Sequence, residues 1–234
     1  MNVIPRALHL GFLRLIAPLV QLLIRLHVRP NTITTVGTLV VVLSAVAYGR
    51  GHLHWGGFLL LLSGVFDMLD GQVARDGDAR TVFGAFYDST LDRVGEAALF
   101  TGIAIYFLQG GVPPERLVFA IVTCCAALGG SLIVSYTRAR AEGLNVECSG
   151  GIATRAERIL VLGAPTLFFG PGAGGALLLW IVFVLALATV VTVVQRIVHV
   201  ARATSPRGPG AVCPARTCDT LFGHAPAMQS RKGH

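Results

Sequence analysis

Four aspartates, Asp67, Asp70, Asp88 and Asp92, fall within 26 residues that otherwise read as lipid-embedded helix. The stretch runs Asp67-Met-Leu-Asp70-Gly71-Gln-Val-Ala74-Arg75, eight further residues, then Gly84-Ala-Phe-Tyr-Asp88-Ser-Thr-Leu-Asp92. A carboxylate at membrane depth is costly and normally faces a cavity, a partner or an ion. Ligands made only of oxygen suit hard cations, and magnesium in particular shares a few carboxylates with substrate phosphates. No His or Cys lies within the motif, which argues against zinc or copper. Gly71, Ala74 and Gly84 lack bulk and leave room for a group to approach the backbone, while Arg75 offers a planar fork for a phosphate. Carboxylates, small residues and one arginine together point to a metal-bound nucleotide diphosphate. Other classes also use such residues: a polar interhelical cluster, a noncatalytic scaffold, or an intramembrane cation or proton transporter. A transporter predicts acidic residues along a route across the bilayer, whereas these gather at one edge.

The elements that must position these groups follow from composition. Of 234 residues, 53% are hydrophobic and only 13% charged, against about 25% charged in average soluble domains. The mean hydropathy is +0.69. The chain therefore reads as an all-α integral membrane protein. Its net charge of +7 comes from scattered arginines and a single lysine, Lys232, with no basic run that would suit nucleic acid. Five cysteines (Cys124, Cys125, Cys148, Cys213 and Cys218) form no zinc-type pairing and predict reduced thiols. Arg14 and Arg25 interrupt the first apolar stretch, which lacks the form of a cleaved signal peptide.

Residues 5–27 form an amphipathic pattern, with Leu8, Phe12, Leu15, Leu19, Leu22 and Leu26 on one side and Arg14, Gln21 and Arg25 on another. Such a helix lies in the headgroup plane. Pro30-Asn31 then makes a turn, after which Thr32 or Thr34 can cap the next helix. Six apolar stretches follow, at 32–49, 54–75, 82–108, 115–140, 156–170 and 174–200, most of them near the roughly 20 residues that cross a bilayer. The organisation expected is a juxtamembrane helix over 1–30, a six-helix domain over 31–202 and a flexible tail over 203–234. Sixteen of the 19 basic residues fall on the side of the N-terminus and two, Arg50 and Arg116, on the other, with Arg93 inside a helix. That bias predicts both termini and the aspartate motif on the cytoplasmic side. Residues three or four apart share a helix face. The short link 76–81 would return the chain so that the second and third stretches become antiparallel neighbours, pooling four carboxylates. Asp76 and Asp78 in that link read as solvated.

The pattern D-x2-D-G-x2-A-R-x8-G-x3-D-x3-D resembles the signature of the CDP-alcohol phosphotransferases at all eight fixed positions. These are membrane enzymes that displace CMP from a CDP-activated donor with an alcohol. The resemblance implies a two-metal site, with magnesium or manganese held by Asp67, Asp70, Asp88 and Asp92. Asp92 would also be the general base. It implies CDP contacts from Gly71, Ala74, Arg75 and Gly84, with Asn31 and Thr34 at the nucleotide end, six spanning helices and a homodimer.

Further along, Ser135-Tyr136-Thr137-Arg138-Ala139-Arg140-Ala141-Glu142, then Arg155-Ala156-Glu157-Arg158, then Gln195-Arg196 are similar to the phosphatidylinositol-phosphate synthase branch of bacteria. By that resemblance Arg138, Arg155 and Arg196 would hold the phosphate of inositol phosphate, and the donor would be CDP-diacylglycerol in a bacterial plasma membrane. Arg138 stands where that branch usually has lysine, and Thr154 where it often has an acidic residue. Phosphatidylglycerophosphate synthesis, or a donor such as CDP-inositol, are the alternatives within the family.

Overall fold

The computed structural model describes residues 6–144, 146 and 155–204, and every element among them is helical. Seven helices follow in order: α1 (Arg6–Arg25), α2 (Pro30–Gly49), α3 (Leu53–Asp76), α4 (Val82–Tyr106), α5 (Pro114–Glu142), α6 (Arg155–Phe169) and α7 (Ala176–Ala203). A π-turn, Phe107–Gly111, ends α4, and a short 3-10 turn, Ala173–Gly175, precedes α7. The chain beyond residue 204, Thr154, and the cysteines at 148, 213 and 218 lie outside the described residues. Within them Cys124 and Cys125 are free thiols.

Among the described residues four helical segments are long and apolar enough to cross a membrane: α2, α3, α5 and the run Ala173–Ala203. The other two expected spans are present as helices but differ in kind. Helix α4 carries Asp88, Asp92, Arg93 and Glu96 in its first fifteen residues, which dilutes its apolar character. Helix α6 has 15 residues, about 22 Å at 1.5 Å per residue, short of a ~30 Å hydrocarbon core.

Helix α2 starts at Pro30 itself, because a proline at the first helical position has its φ already set and its missing N–H is one that no helix would use. This corrects the expected cap: Thr34 sits inside the helix, one turn on. Helix α2 is the central post, packing against both α3 and α4, while α3 also packs on α6 and α5 on α7. Small residues on α2 admit both neighbours. Ser44 Oγ donates to Gly56 O of α3 at 2.7 Å, and the Ala45 backbone lies directly against Gly102 of α4.

The consequence departs from the expected pairing. No Cα of α3 comes within 8 Å of α4, nor does any Cα of α6. The two halves of the aspartate motif are thus not packed neighbours. They face one another across a cleft that α2 holds open.

Two apolar clusters fix this frame. The larger is built around Tyr48, Leu60, Ile103, Phe107, Leu162 and Leu178, with Tyr48 Oη and Thr166 Oγ1 joined at 2.6 Å between α2 and α6. The smaller joins Ile16 and Val20 of α1 to Ile33, Leu69 and Val73. It anchors α1 beside the end of α3, while Leu19, Leu22 and Leu26 of the expected apolar stripe remain exposed.

The α3–α6 contact depends on Gly57, where an added Cβ would stand 2.6 Å from Leu167 N and 2.7 Å from Gly163 O. Backbone atoms cannot rotate away, so Gly57→Ala should destabilise by about 1–3 kcal/mol, the usual cost of overpacking. Gly129→Ala is the control, because nothing lies within 4 Å of that added methyl. Thermal unfolding in detergent should show a lowered midpoint for the first and none for the second.

Candidate metal and nucleotide site

The last three turns of α3 and the first three of α4 supply the motif. Thr81 caps α4, its Oγ1 accepting from Gly84 N at 2.9 Å, which fixes where the helix begins and hence where Asp88 and Asp92 point. Asp67, Asp70 and Asp88 each place a carboxylate oxygen within 4.8 Å of the others. Convergence across the cleft is therefore achieved by side chains, not by backbone contact.

Each carboxylate is held differently. Asp70 is 7% exposed and accepts from Thr34 Oγ1 at 2.7 Å. Asp67 accepts from Arg155 Nη1 at 2.5 Å. The same guanidinium nitrogen is ion-paired with Asp92. Asp88 Oδ1 is buried and finds no hydrogen-bond partner among the described residues. An orphaned buried carboxylate oxygen among like charges is destabilising unless a cation answers it. The donor set is all oxygen, convergent and short of positive charge, so these residues fit a hard divalent cation.

Beside the carboxylates lies a pocket of about 330 Å³ between the start of α2, the end of α3 and the start of α4. Asn31, Thr34, Gly71, Ala74, Arg75 and Gly84 all line it, together with Asp70 and Asp88. Every position expected to meet a nucleotide is thus in one cavity. Arg75 is steered by Gln72, whose Oε1 accepts from Nη2 at 2.7 Å. Gly84 lies close against Asn31, and an added Cβ there would stand 3.2 Å from Asn31 Oδ1.

Arg80 also lines this pocket, a residue that spacing did not single out. The available signal was that it is the one cation in the link between the two halves of the motif. Asp76, by contrast, accepts from Gln72 at 3.0 Å, and both Asp76 and Asp78 are exposed, as expected of solvated residues.

The three arginines expected to hold an acceptor phosphate are not gathered at one point. Arg155 stands at the carboxylates. Arg138 donates to Glu142 one turn along α5 at 2.8 Å, with side chains 58% and 55% exposed. Arg196 is buried and donates to Val134 O of α5. It lines a second groove of about 330 Å³ between the ends of α5 and α7, shared with Tyr136 and Arg140.

The repulsion among these carboxylates should be visible in the protein's stability. With divalent ions chelated, Asp88→Asn should unfold at the same temperature as wild type or higher, because it removes one of three mutually repelling charges. On adding manganese, the wild type should gain stability by mass action and the variant should lose most of that gain. Equal gains would exclude Asp88 as a ligand.

The chain matches the CDP-alcohol phosphatidyltransferase family model over residues 27–194. It is 40% identical over 201 residues to a phosphatidylinositol phosphate synthase of Cutibacterium acnes, covering 82% of this chain and 95% of that one. It is 38% identical over 180 residues to an archaetidylinositol phosphate synthase of Methanothermobacter thermautotrophicus, covering 75% of this chain and 85% of that one. Among solved structures, the phosphatidylinositol phosphate synthase of Mycobacterium tuberculosis with CDP-DAG bound is similar at a TM-score of 0.71 and 28% identity, covering 85% of this chain and 100% of that one. The same synthase in complex with manganese and citrate is similar at a TM-score of 0.68 and 29% identity, covering 78% of this chain and 87% of that one.

Proposed function

From the premise that this chain is an enzyme of the CDP-alcohol phosphatidyltransferase family, we propose that it moves the phosphatidyl group of CDP-diacylglycerol onto inositol phosphate and releases CMP. The observation that carries this reading is the single pocket in which the six nucleotide positions adjoin Asp70 and Asp88. The phosphorylated acceptor is supported by the names of the relatives and by Arg155, a guanidinium already directed at the reacting end of the cleft.

Two magnesium ions, or manganese, would be held by Asp67, Asp70, Asp88 and Asp92, and when bound would neutralise the pyrophosphate and the departing CMP. The chain's own residues do the rest. The pocket walls at Gly71, Ala74 and Gly84 admit the cytidine, and Arg75 and Arg80 face its phosphates. Thr34 holds Asp70 in place through its 2.7 Å bond. Arg155 draws the acceptor phosphate toward the carboxylates. Asp92 takes the proton of the attacking inositol hydroxyl. The oxygen so freed forms a bond to the phosphorus attached to the lipid, and the bond from that phosphorus to CMP breaks.

The membrane arrangement proposed with it has six crossings, both termini and the site cytoplasmic, in a bacterial plasma membrane. Helix α1 would lie in the interface, which its exposed Leu19 and Leu22 support. A homodimer is proposed on family grounds.

The test uses purified protein, CDP-diacylglycerol and magnesium, offered inositol phosphate, glycerol phosphate or free inositol in turn. CMP release is expected with inositol phosphate. Release with glycerol phosphate alone would overturn the acceptor assignment and leave the reaction class standing. Asp92→Asn should slow CMP release by roughly 10²–10⁴-fold, the usual worth of general-base help, while still binding CDP-diacylglycerol. Near-normal turnover would remove Asp92 from the role of base.

A further inference from the structure

The signature on α4 ends at Asp92, but the same helix face continues one turn further to Glu96. Glu96 Oε1 accepts from Arg158 Nη2, in an ion pair whose side chains are only 11% and 9% exposed. That is far more secluded than the Arg155–Asp67 pair, at 23% and 37%. Asp92 and Glu96 are four residues apart on α4, and Arg155 and Arg158 three apart on α6. The two pairs are therefore successive rungs between the same two helices.

Those rungs cross open distance, because the Cα atoms of α4 and α6 stay more than 8 Å apart. A narrow cavity of about 30 Å³ runs between them, and Glu96, Arg155, Arg158 and Leu162 all border it. Glu96 is also near enough to act electrostatically on Arg155 itself. A buried ion pair adds little to stability over an apolar pair of the same volume, though removing one partner alone is costly. Its presence here, beside the reacting end of the cleft, calls for another account.

We propose that Glu96 is a positioning residue for the acceptor site: by gripping Arg158 it sets the first turn of α6, so that the Arg155 guanidinium faces Asp67 and Asp92. Glu96 itself touches no reacting atom. The inference rests on the assignment of Arg155 to the acceptor phosphate, and it names the residue that holds Arg155 in place. Helix α6 needs such a hold. On the α3 side it is seated by Ile159 beside Gly64, by Gly57 and by the Tyr48–Thr166 bond, contacts that begin about one turn beyond Arg155, while toward α4 its first turn is held by the two ion pairs.

The experiment is steady-state CMP release by the purified protein, with each substrate varied at saturating levels of the other. Glu96→Gln keeps size and hydrogen-bonding capacity but drops the charge. It should raise KM for inositol phosphate by about 10-fold to 100-fold, the scale of a displacement near 1 Å, and leave KM for CDP-diacylglycerol near its wild-type value. Arg158→Gln should give the same split. The double variant should do no worse than either single one, since the two residues act as a unit. A role in folding alone would instead lower the unfolding midpoint and change both KM values together or neither.

Wild-type acceptor KM in a folded Glu96→Gln enzyme, or a parallel rise in both KM values, would overturn the proposal. If Glu96→Gln does not fold, the charge-free double variant is judged by the same criterion. Failure of the wild type to use inositol phosphate at all would be read differently, as failure of the functional assignment on which this inference stands.

Discussion

Carboxylates brought together from two helices whose backbones stay apart are the constraint on which this structure depends. Asp67 and Asp70 come from α3 and Asp88 from α4, and their oxygens converge within 4.8 Å while the backbones stay more than 8 Å apart. Packed helices could not do this, because their own side chains would fill the space a substrate needs. Helices set farther apart would leave three solvated acids with no common focus. The spacing seen here leaves a pocket of about 330 Å³ beside three carboxylates whose oxygens lie within 4.8 Å of one another.

Holding that spacing is the work of the rest of the bundle. Like charges drive α3 and α4 apart, and nothing in their direct contact opposes it. The opposition comes from α2, which grips α3 through Ser44 and Gly56 and presses its Ala45 backbone on Gly102 of α4. It comes also from α6, packed on α3 through Gly57 and reaching α4 by ion pairs. Close glycine packing is strong where lipid offers no hydrophobic gain from helix association. The tight contacts lie away from the cleft, and the repulsion lies within it. Functional sites commonly break local rules that the surrounding structure makes up for.

Much of this was legible in the sequence, and the limits of legibility have a physical origin. Helical periodicity put each half of the signature on one face of its own helix, and all six positions that the family resemblance assigned to the nucleotide line one pocket. Among the described residues each of the six expected apolar stretches is a helix, and both the charges that dilute α4 and the 15-residue length of α6 follow from the sequence itself. Pairing was the harder matter. A link of five residues between α3 and α4 suggests neighbours, and nothing in it reveals that α2 stands between them. Thr32 or Thr34 read as the cap after the Pro30-Asn31 turn, and the bond of Thr34 to Asp70, 36 residues away, depends on how α2 crosses α3. Arg80 and Glu96 were missed for the same reason: spacing identifies a helix face, but which face it meets is decided by the tertiary arrangement.

The arginines carry the same argument one step further. A guanidinium near the membrane boundary is expected from orientation alone, so three of them in sequence say little about a shared ligand. Their partners separate them. Arg138 is exposed and answered by Glu142 within its own helix. Arg196 ties α7 to a carbonyl of α5. Arg155 alone stands at the aspartates, bonded to Asp67 and to Asp92 at once. An anion that takes up this guanidinium competes with those two carboxylates for it. Under the proposed function, the group that recruits the acceptor phosphate is therefore the one that occupies the proposed base until the acceptor arrives. Under that reading substrate recognition and the freeing of Asp92 would be linked through one side chain, because Arg155 reaches from α6 to carboxylates of both α3 and α4.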